Sequence, residues 1–245
     1  MQFITPIEIQ TKNFPNVNHS HQILSLGSCF SQHIGNKLER SKFNCSINPF
    51  GVLYNPASIA KTLDEIMEHK VYTASDLFEH SQQWHSWMHH GDFSNVDKQE
   101  VLNQINHRIS VAHDFISELD YLMITFGSAW IYRLKQGGEV VSNCHKVRAD
   151  QFVRERLDID QIFELYSGLI DKLLLRSPKL KIVFSVSPIR HVRDGLHENQ
   201  LSKSILLLAI DKLAAKYPNV IYFPSYEIVL DELRDYRFYA DDMVH

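Results

Sequence analysis

"ILSLGSCFSQHIG", residues 23–35, decides how the rest of the chain is read. An apolar run from Ile23 to Leu26 stops at Gly27, Ser28 and Cys29 follow at once, and Ile34 and Leu38 then fall four apart among polar residues, as on an amphipathic helix. The order is buried strand, tight turn, helix. Two side chains able to act as nucleophiles therefore sit where a strand hands over to a helix. The first backbone N–H groups of a helix have no partner within it, and the dipole there is positive. Both features stabilise a thiolate or an oxyanion, so the turn predicts acyl-transfer chemistry on Cys29 or Ser28. The thiol needs less help than the hydroxyl to become a nucleophile near neutral pH.

Downstream, the same alternation repeats. "FNCSINPFG" (43–51) reads as a second strand closed by Pro and Gly, and "NPASIAKTLDEIMEHK" (55–70) as a helix opened by Asn-Pro. "YLMITFG" (121–127), "KIVFSVSP" (181–188) and "VIYFPSYE" (220–227) read as further strands, with helices over 160–176 and 199–218 between them. Strands alternating with helices imply right-handed βαβ units. The expected fold is one α/β domain over 1–245, a three-layer α/β/α sandwich of flavodoxin-like type with a mainly parallel five-stranded sheet covered on both faces. In such sheets ligands bind beyond the carboxyl ends of the strands. Those ends carry Gly27 to Cys29, Asn48 to Gly51, Gly127-Ser128, Ser187 to His191, and the chain terminus. Residues 71–115, rich in His, Gln, Ser and Trp before a helix over 97–115, are expected to form a lid or rim. Residues 134–156 are expected to open as a Gly-Gly hairpin and continue as a loop.

Composition narrows the function classes. A formal net charge of -4 with no long block of one sign gives no footprint for nucleic acid or an anionic membrane. No window reaches the roughly 18 apolar residues of a membrane span, and the first residues lack the pattern of a signal peptide, so a cytoplasmic location is expected. Cys29, Cys45 and Cys144 form no CxxC pair and are expected to be reduced thiols. No cofactor is expected, and oligomeric state is not encoded. The histidines raise a metal reading: His85 and His89 are four apart and His90 adjoins, although no His-Glu-x-x-His pattern is present.

Six islands in order, "LGSCFS" (26–31), "NPFGVLYNP" (48–56), "TFGSAWIY" (125–132), "NCHK" (143–146), "SVSPIRHVRDG" (185–195) and "FPSYEIVLDELRDYRFYADDMVH" (223–245), resemble the GSCFA family, which is placed by similarity within the SGNH/GDSL-like hydrolases. The resemblance lays Cys29 on that superfamily's nucleophilic Ser and Ser28 on its Asp. It also lays Asp242 and His245 on the Asp-x-x-His whose imidazole is the general base. Gly51 matches the glycine that lends an N–H to the oxyanion hole. Where the superfamily has Gly-x-Asn-Asp this chain has Gly127-Ser128-Ala129-Trp130, which leaves Ser128 and, from a neighbouring loop, Asn143 as replacement donors. Asn48, Arg190, His191 and His145 are the remaining candidates for substrate contact. The two asparagines before prolines, Asn48 and Asn55, equally suit turns.

The resemblance implies an ester hydrolase (esterase) or O-acyltransferase working through a covalent acyl intermediate on Cys29 or Ser28. Its substrate would be a small-molecule or carbohydrate ester, with a cell-envelope acceptor weighed above a lipid one. Two alternatives stand beside it: a ligand-binding module without turnover, and a metal-dependent hydrolase using His85, His89 and His90. A base on the last residue is an unusual arrangement, since chain ends are seldom held in place, and the chain is expected to be a truncated piece of a longer one.

Overall fold

The computed structural model describes residues 5–9 and 16–241. In chain order its elements are β1 (Gln22–Gly27), α1 (Cys29–Arg40), β2 (Asn44–Ile47), α2 (Pro56–Met67), β3 (Leu77–His80), β4 (Gln83–Ser86), α3 (Lys98–Ile116), β5 (Tyr121–Phe126), β6 (Trp130–Leu134), β7 (Val140–Val141), β8 (Phe152–Arg156), α4 (Ile159–Arg176), β9 (Lys181–Val186), α5 (Leu196–Lys216), β10 (Val220–Phe223) and α6 (Ser225–Glu227), the last running into a π-helical turn, Ile228–Leu233.

Five strands pair in the order β10-β9-β5-β1-β2, every pair parallel, as the alternation of strands and helices predicts. β1, β5 and β9 are buried along nearly their whole length, because helices cover them from both sides. The edge strands β2 and β10 are short, four residues each, and mostly half-buried. Right-handed crossovers put α1 on one face and α2 to α5 on the other, where α3, α2, α4 and α5 pack side by side, completing the α/β/α sandwich. The order of strands reverses at β1, which has β2 on one side and β5 on the other. Such a reversal opens a crevice at the carboxyl end of the sheet.

Local chemistry sets the helix starts. The Asn55 side chain accepts the Ser58 N–H at 2.8 Å with Pro56 at the first helical position, which begins α2. Asp158 and Gln161 form a reciprocal capping box at the start of α4.

Two stretches depart from the sequence reading. Residues 71–115 form the β3–β4 hairpin and α3, and contribute no residue to the cleft described below. α3 buries Val101, Ile105, Ile109, Ala112 and Ile116, a stripe at helical spacing that packs toward α2, so this helix belongs to the core. The Gly-Gly hairpin forms between β6 and β7, but the expected loop after it returns as β8, antiparallel to β6 from Trp130↔Arg156 to Leu134↔Phe152. "FVRER" shows no clean apolar alternation because this ribbon lies on the surface, where the Arg154 and Arg156 guanidinium groups cover the Trp130 ring at 4.1 and 5.3 Å.

Candidate active site

β1 ends on Gly27 because no other residue fits there. Its φ is +138°, and a Cβ would lie 2.2 Å from the Thr125 carbonyl oxygen of the neighbouring strand. The Gly27 N–H donates to Asn48 Oδ1 (2.9 Å) and its carbonyl accepts the Leu53 N–H (2.9 Å), so the turn is pinned from both sides. Ser28 stands at the helix N-cap in extended backbone but does not cap α1, and its hydroxyl is buried with no partner. The Ser28 side chain is thus sealed away. Cys29 is half-buried and faces the cleft.

That cleft, about 590 Å³, opens at the carboxyl ends of the strands. Cys29, Tyr54, Asn55 and Ser128 form its floor. The β6–β8 ribbon supplies one wall with Trp130, Tyr132, Val141, Ser142 and Arg154, and residues 189–194 supply the other. Arg154 is ion-paired across the cleft with Asp194. Arg190 stacks on Tyr236 (4.9 Å) and Tyr239 (4.7 Å), which fastens the last described segment of the chain to the wall.

The three thiols are not equivalent. Burial pushes Cys45 and Cys144 up to about 11, and nothing near either one opposes it. Burial also raises Cys29, but its own N–H, that of Phe30 and the charge of Lys203 all favour the thiolate. The helix N-terminus therefore acts on this sulfur as the sequence suggests, although burial outweighs it.

Lys203, which the sequence reading missed, lies wholly buried on α5. Its Nζ donates to the carbonyls of Gly127 and Ser187, both at 2.7 Å, at the ends of β5 and β9. Burial pulls the ammonium down to about 7, and Cys29 is the charge that opposes this. A signal was available. Residues 199, 203, 206, 210 and 213 recur at steps of four and three, so Lys203 occupies the same stripe as the buried Leu206, Ile210 and Leu213.

His191 lines the cleft, and its Nε2 lies 3.1 Å from the Gly127 carbonyl, which only accepts, so Nε2 carries the proton and Nδ1 the lone pair. Burial, helped by the Lys203 charge, holds His191 at about 4 and keeps the ring neutral.

The other predicted residues are placed as follows. Asn48 is buried with both ends of its amide engaged, Oδ1 by Gly27 and Nδ2 by Gln32 Oε1 (2.9 Å). It ties β1 to α1 and does not line the cleft. The Gly51 N–H donates to the Asn48 carbonyl (2.7 Å), and a Cβ on Gly51 would lie 2.3 Å from that of His90, so this glycine serves close packing. Ser128 reaches the cleft, but its N–H is spent on the Tyr54 carbonyl (2.9 Å), leaving its hydroxyl near Ser202 (3.4 Å) as the donor it can offer. Asn143 and His145 sit apart from the cleft. The Asn143 Oδ1 accepts the His145 N–H, and His145 Nε2 lies 2.9 Å from the Ser86 carbonyl. Asp242 and His245 lie outside the described residues.

The histidines of 85–90 do not converge. His85 is held by Ser94 and the His80 carbonyl, His89 by Ser86 with its ring stacked on Phe50, and His90 by Asp92. Among the described residues no group of three or more His, Cys, Asp or Glu is placed to hold a metal ion. Nor is any helix among them long and apolar enough to cross a membrane. The three tryptophan rings each carry a neighbour, Trp84 with Lys98, Trp87 with Phe78 and Trp130 with the two arginines.

In comparison with known proteins, residues 22–245 match the profile of the GSCFA family. No curated protein and no solved structure matches the chain.

Proposed function

From the premise that the chain belongs to the GSCFA family, we propose that it is an SGNH-like ester hydrolase or O-acyltransferase whose acyl group is carried on Cys29. The observation that supports this reading best is the contrast among the thiols. Cys29 alone stands on the floor of a cleft, at a helix N-terminus, with two backbone N–H groups and a cation acting on its sulfur. The thiolate attacks the ester carbonyl, the tetrahedral intermediate collapses with loss of the alcohol, and water or a hydroxyl acceptor then takes the acyl group. The resemblance assigns the base to His245, oriented by Asp242. The arginines and tyrosines of the walls suit a polar ester, such as an acylated carbohydrate, better than a lipid.

A binding module without turnover is the competing reading. It is favoured by the engagement of the Gly51 and Ser128 N–H groups within the fold, which leaves few donors for an oxyanion. Incubation with p-nitrophenyl acetate followed by intact-mass measurement decides between them. One acetyl adduct, absent in Cys29→Ala and slow to form in His245→Ala, is the expected result. A folded protein that gains no adduct, or gains one unaffected by Cys29→Ala, overturns the proposal.

A further inference from the structure

Acyl transfer needs hydrogen-bond donors fixed in advance around the oxygen that becomes negative, and the fold has spent most of those near Cys29. The Gly127 and Ser128 N–H groups both donate to the Tyr54 carbonyl, at 2.8 and 2.9 Å, and the Gly51 N–H donates to the Asn48 carbonyl. Asn55 is the exception. It lines the cleft floor together with Cys29 and is 6% exposed. Its side chain stands at the N-cap of α2 in extended backbone (φ -110°, ψ 151°), where Oδ1 accepts the Ser58 N–H at 2.8 Å. A backbone N–H can only donate, so the oxygen of this amide faces the helix and its NH2 faces away. Among the described residues Nδ2 has no acceptor, and unlike the Ser28 hydroxyl it is not sealed from solvent. A donor held in one orientation thus opens on the cleft.

The floor is laced together by backbone bonds. The Leu53 N–H donates to the Gly27 carbonyl (2.9 Å), and the Tyr54 carbonyl accepts from the turn after β5, so the segment carrying Asn55 is fastened to the turn carrying Cys29. The other floor side chains are poorer donors. Tyr54 is 40% exposed and free to swing, while the Ser128 Oγ already accepts the Trp130 N–H (3.2 Å) and lies near Ser202 (3.4 Å).

We propose that Asn55 Nδ2 donates a hydrogen bond to the carbonyl oxygen of the ester that Cys29 attacks. As sulfur bonds to the carbonyl carbon, the π pair moves onto that oxygen, and the Asn55 N–H stabilises the anion. When the pair returns, the bond to the alcohol oxygen breaks and the alcohol leaves with the proton that left the thiol. The inference rests on reading Cys29 as the acyl carrier, and it supplies a donor whose shortage favours the binding module.

Asn55→Asp separates this role from helix capping. Aspartate caps as well as asparagine, so α2 keeps its start, but a carboxylate has no hydrogen to give and repels an oxyanion. Two rates at Cys29 are followed by peptide mass at one pH: acetylation by p-nitrophenyl acetate, which passes through an oxyanion, and alkylation by iodoacetamide, a displacement at carbon that does not. Dividing the first by the second removes any change in thiolate supply, including that imposed by the new carboxylate. In Asn55→Asp the ratio is expected to fall about a hundredfold, the usual effect of losing one such donor, at a melting temperature near wild type. Asn55→Ser, a neutral cap with a shorter side chain, is expected to lower it as well. An asparagine that only caps α2 would leave the ratio unmoved in both.

A folded Asn55→Asp or Asn55→Ser with the wild-type ratio overturns the inference, and either variant suffices where the other fails to fold. Wild-type protein that gains no acetyl group at Cys29 overturns this inference and the enzymatic reading together. An acetyl group gained at a ratio indifferent to the Asn55 substitutions sinks the inference alone.

Discussion

Replacing Asn48 by Ala tests whether this residue belongs to the scaffold or to the substrate. In the structure its Oδ1 takes the Gly27 N–H at 2.9 Å and its Nδ2 reaches Gln32 Oε1 at 2.9 Å, from a left-handed backbone with φ +41°. Truncation leaves the Gly27 N–H buried without an acceptor, which costs about 1–3 kcal/mol. Alanine tolerates the left-handed conformation less well than asparagine, adding on the order of 1 kcal/mol. Gln32 is only partly buried and recovers its bond from water. The expected loss is therefore roughly 2–4 kcal/mol, or on the order of 10 °C in melting temperature for a chain of this size. Urea unfolding followed by circular dichroism measures it, with Gln32→Ala as the control expected to lose under about 1 kcal/mol. Should Asn48→Ala keep its stability to within about 0.5 kcal/mol while weakening ester binding, the side chain faces the substrate and the structural assignment fails.

Other expectations follow from the same contacts. Gly27→Ala must part β1 from β5 and adopt a φ reserved for glycine, so a loss of about 3 kcal/mol or more is expected, together with slower Cys29 alkylation in whatever remains folded; a melting point near wild type would count against the tight turn. Tyr166 is wholly buried with its hydroxyl on the Pro56 carbonyl at 3.0 Å, and Tyr166→Phe should cost about 1–2 kcal/mol in urea unfolding, an unchanged midpoint arguing that this bond contributes nothing. Burial holds both His145 and His191 at about 4, below the ordinary 6.5. The unfolded chain then binds protons between those values that the folded chain does not, so their contribution is complete above about 6.5 and is lost as pH falls toward 4. His145→Gln should flatten the melting temperature across that interval; equal slopes in variant and wild type would show that His145 is protonated in the fold.

The parallel sheet was legible because its strands are apolar runs with glycine or proline at their ends, and its helices carry stripes at three and four. Where two faces of a strand are buried, pattern and structure coincide. β8 was not legible, since a surface ribbon whose arginines lie over Trp130 and whose Phe152 alone is buried carries no period-two signal. Residues 71–115 look like a rim by composition, yet α3 hides an apolar stripe among polar residues. At the site, the Gly27-Ser28-Cys29 turn was readable from a strand stopping against a helix, but nothing local distinguishes Cys29 from Ser28. Only packing buries the Ser28 hydroxyl and leaves the thiol at the cleft. Gly51 and Asn48 sit at the strand end where the pattern puts them, and their hydrogen bonds show them to be mortar. Lys203 went unread because a single cation in a long amphipathic helix is ordinarily solvated.

Floor and walls of the cleft are drawn from different kinds of structure. The bottom comes from the start of α1, the residues leading into α2 and the turn after β5, which are interlocked with the interior, so most replacements there are felt first as lost stability. The sides are a thin ribbon and the nine-residue connection from β9 to α5 (187–195), both only partly buried. Lengthening or recolouring them leaves the sheet register untouched. Diversification of what enters can thus proceed at the periphery, while the reacting centre remains fixed by the demands of the interior.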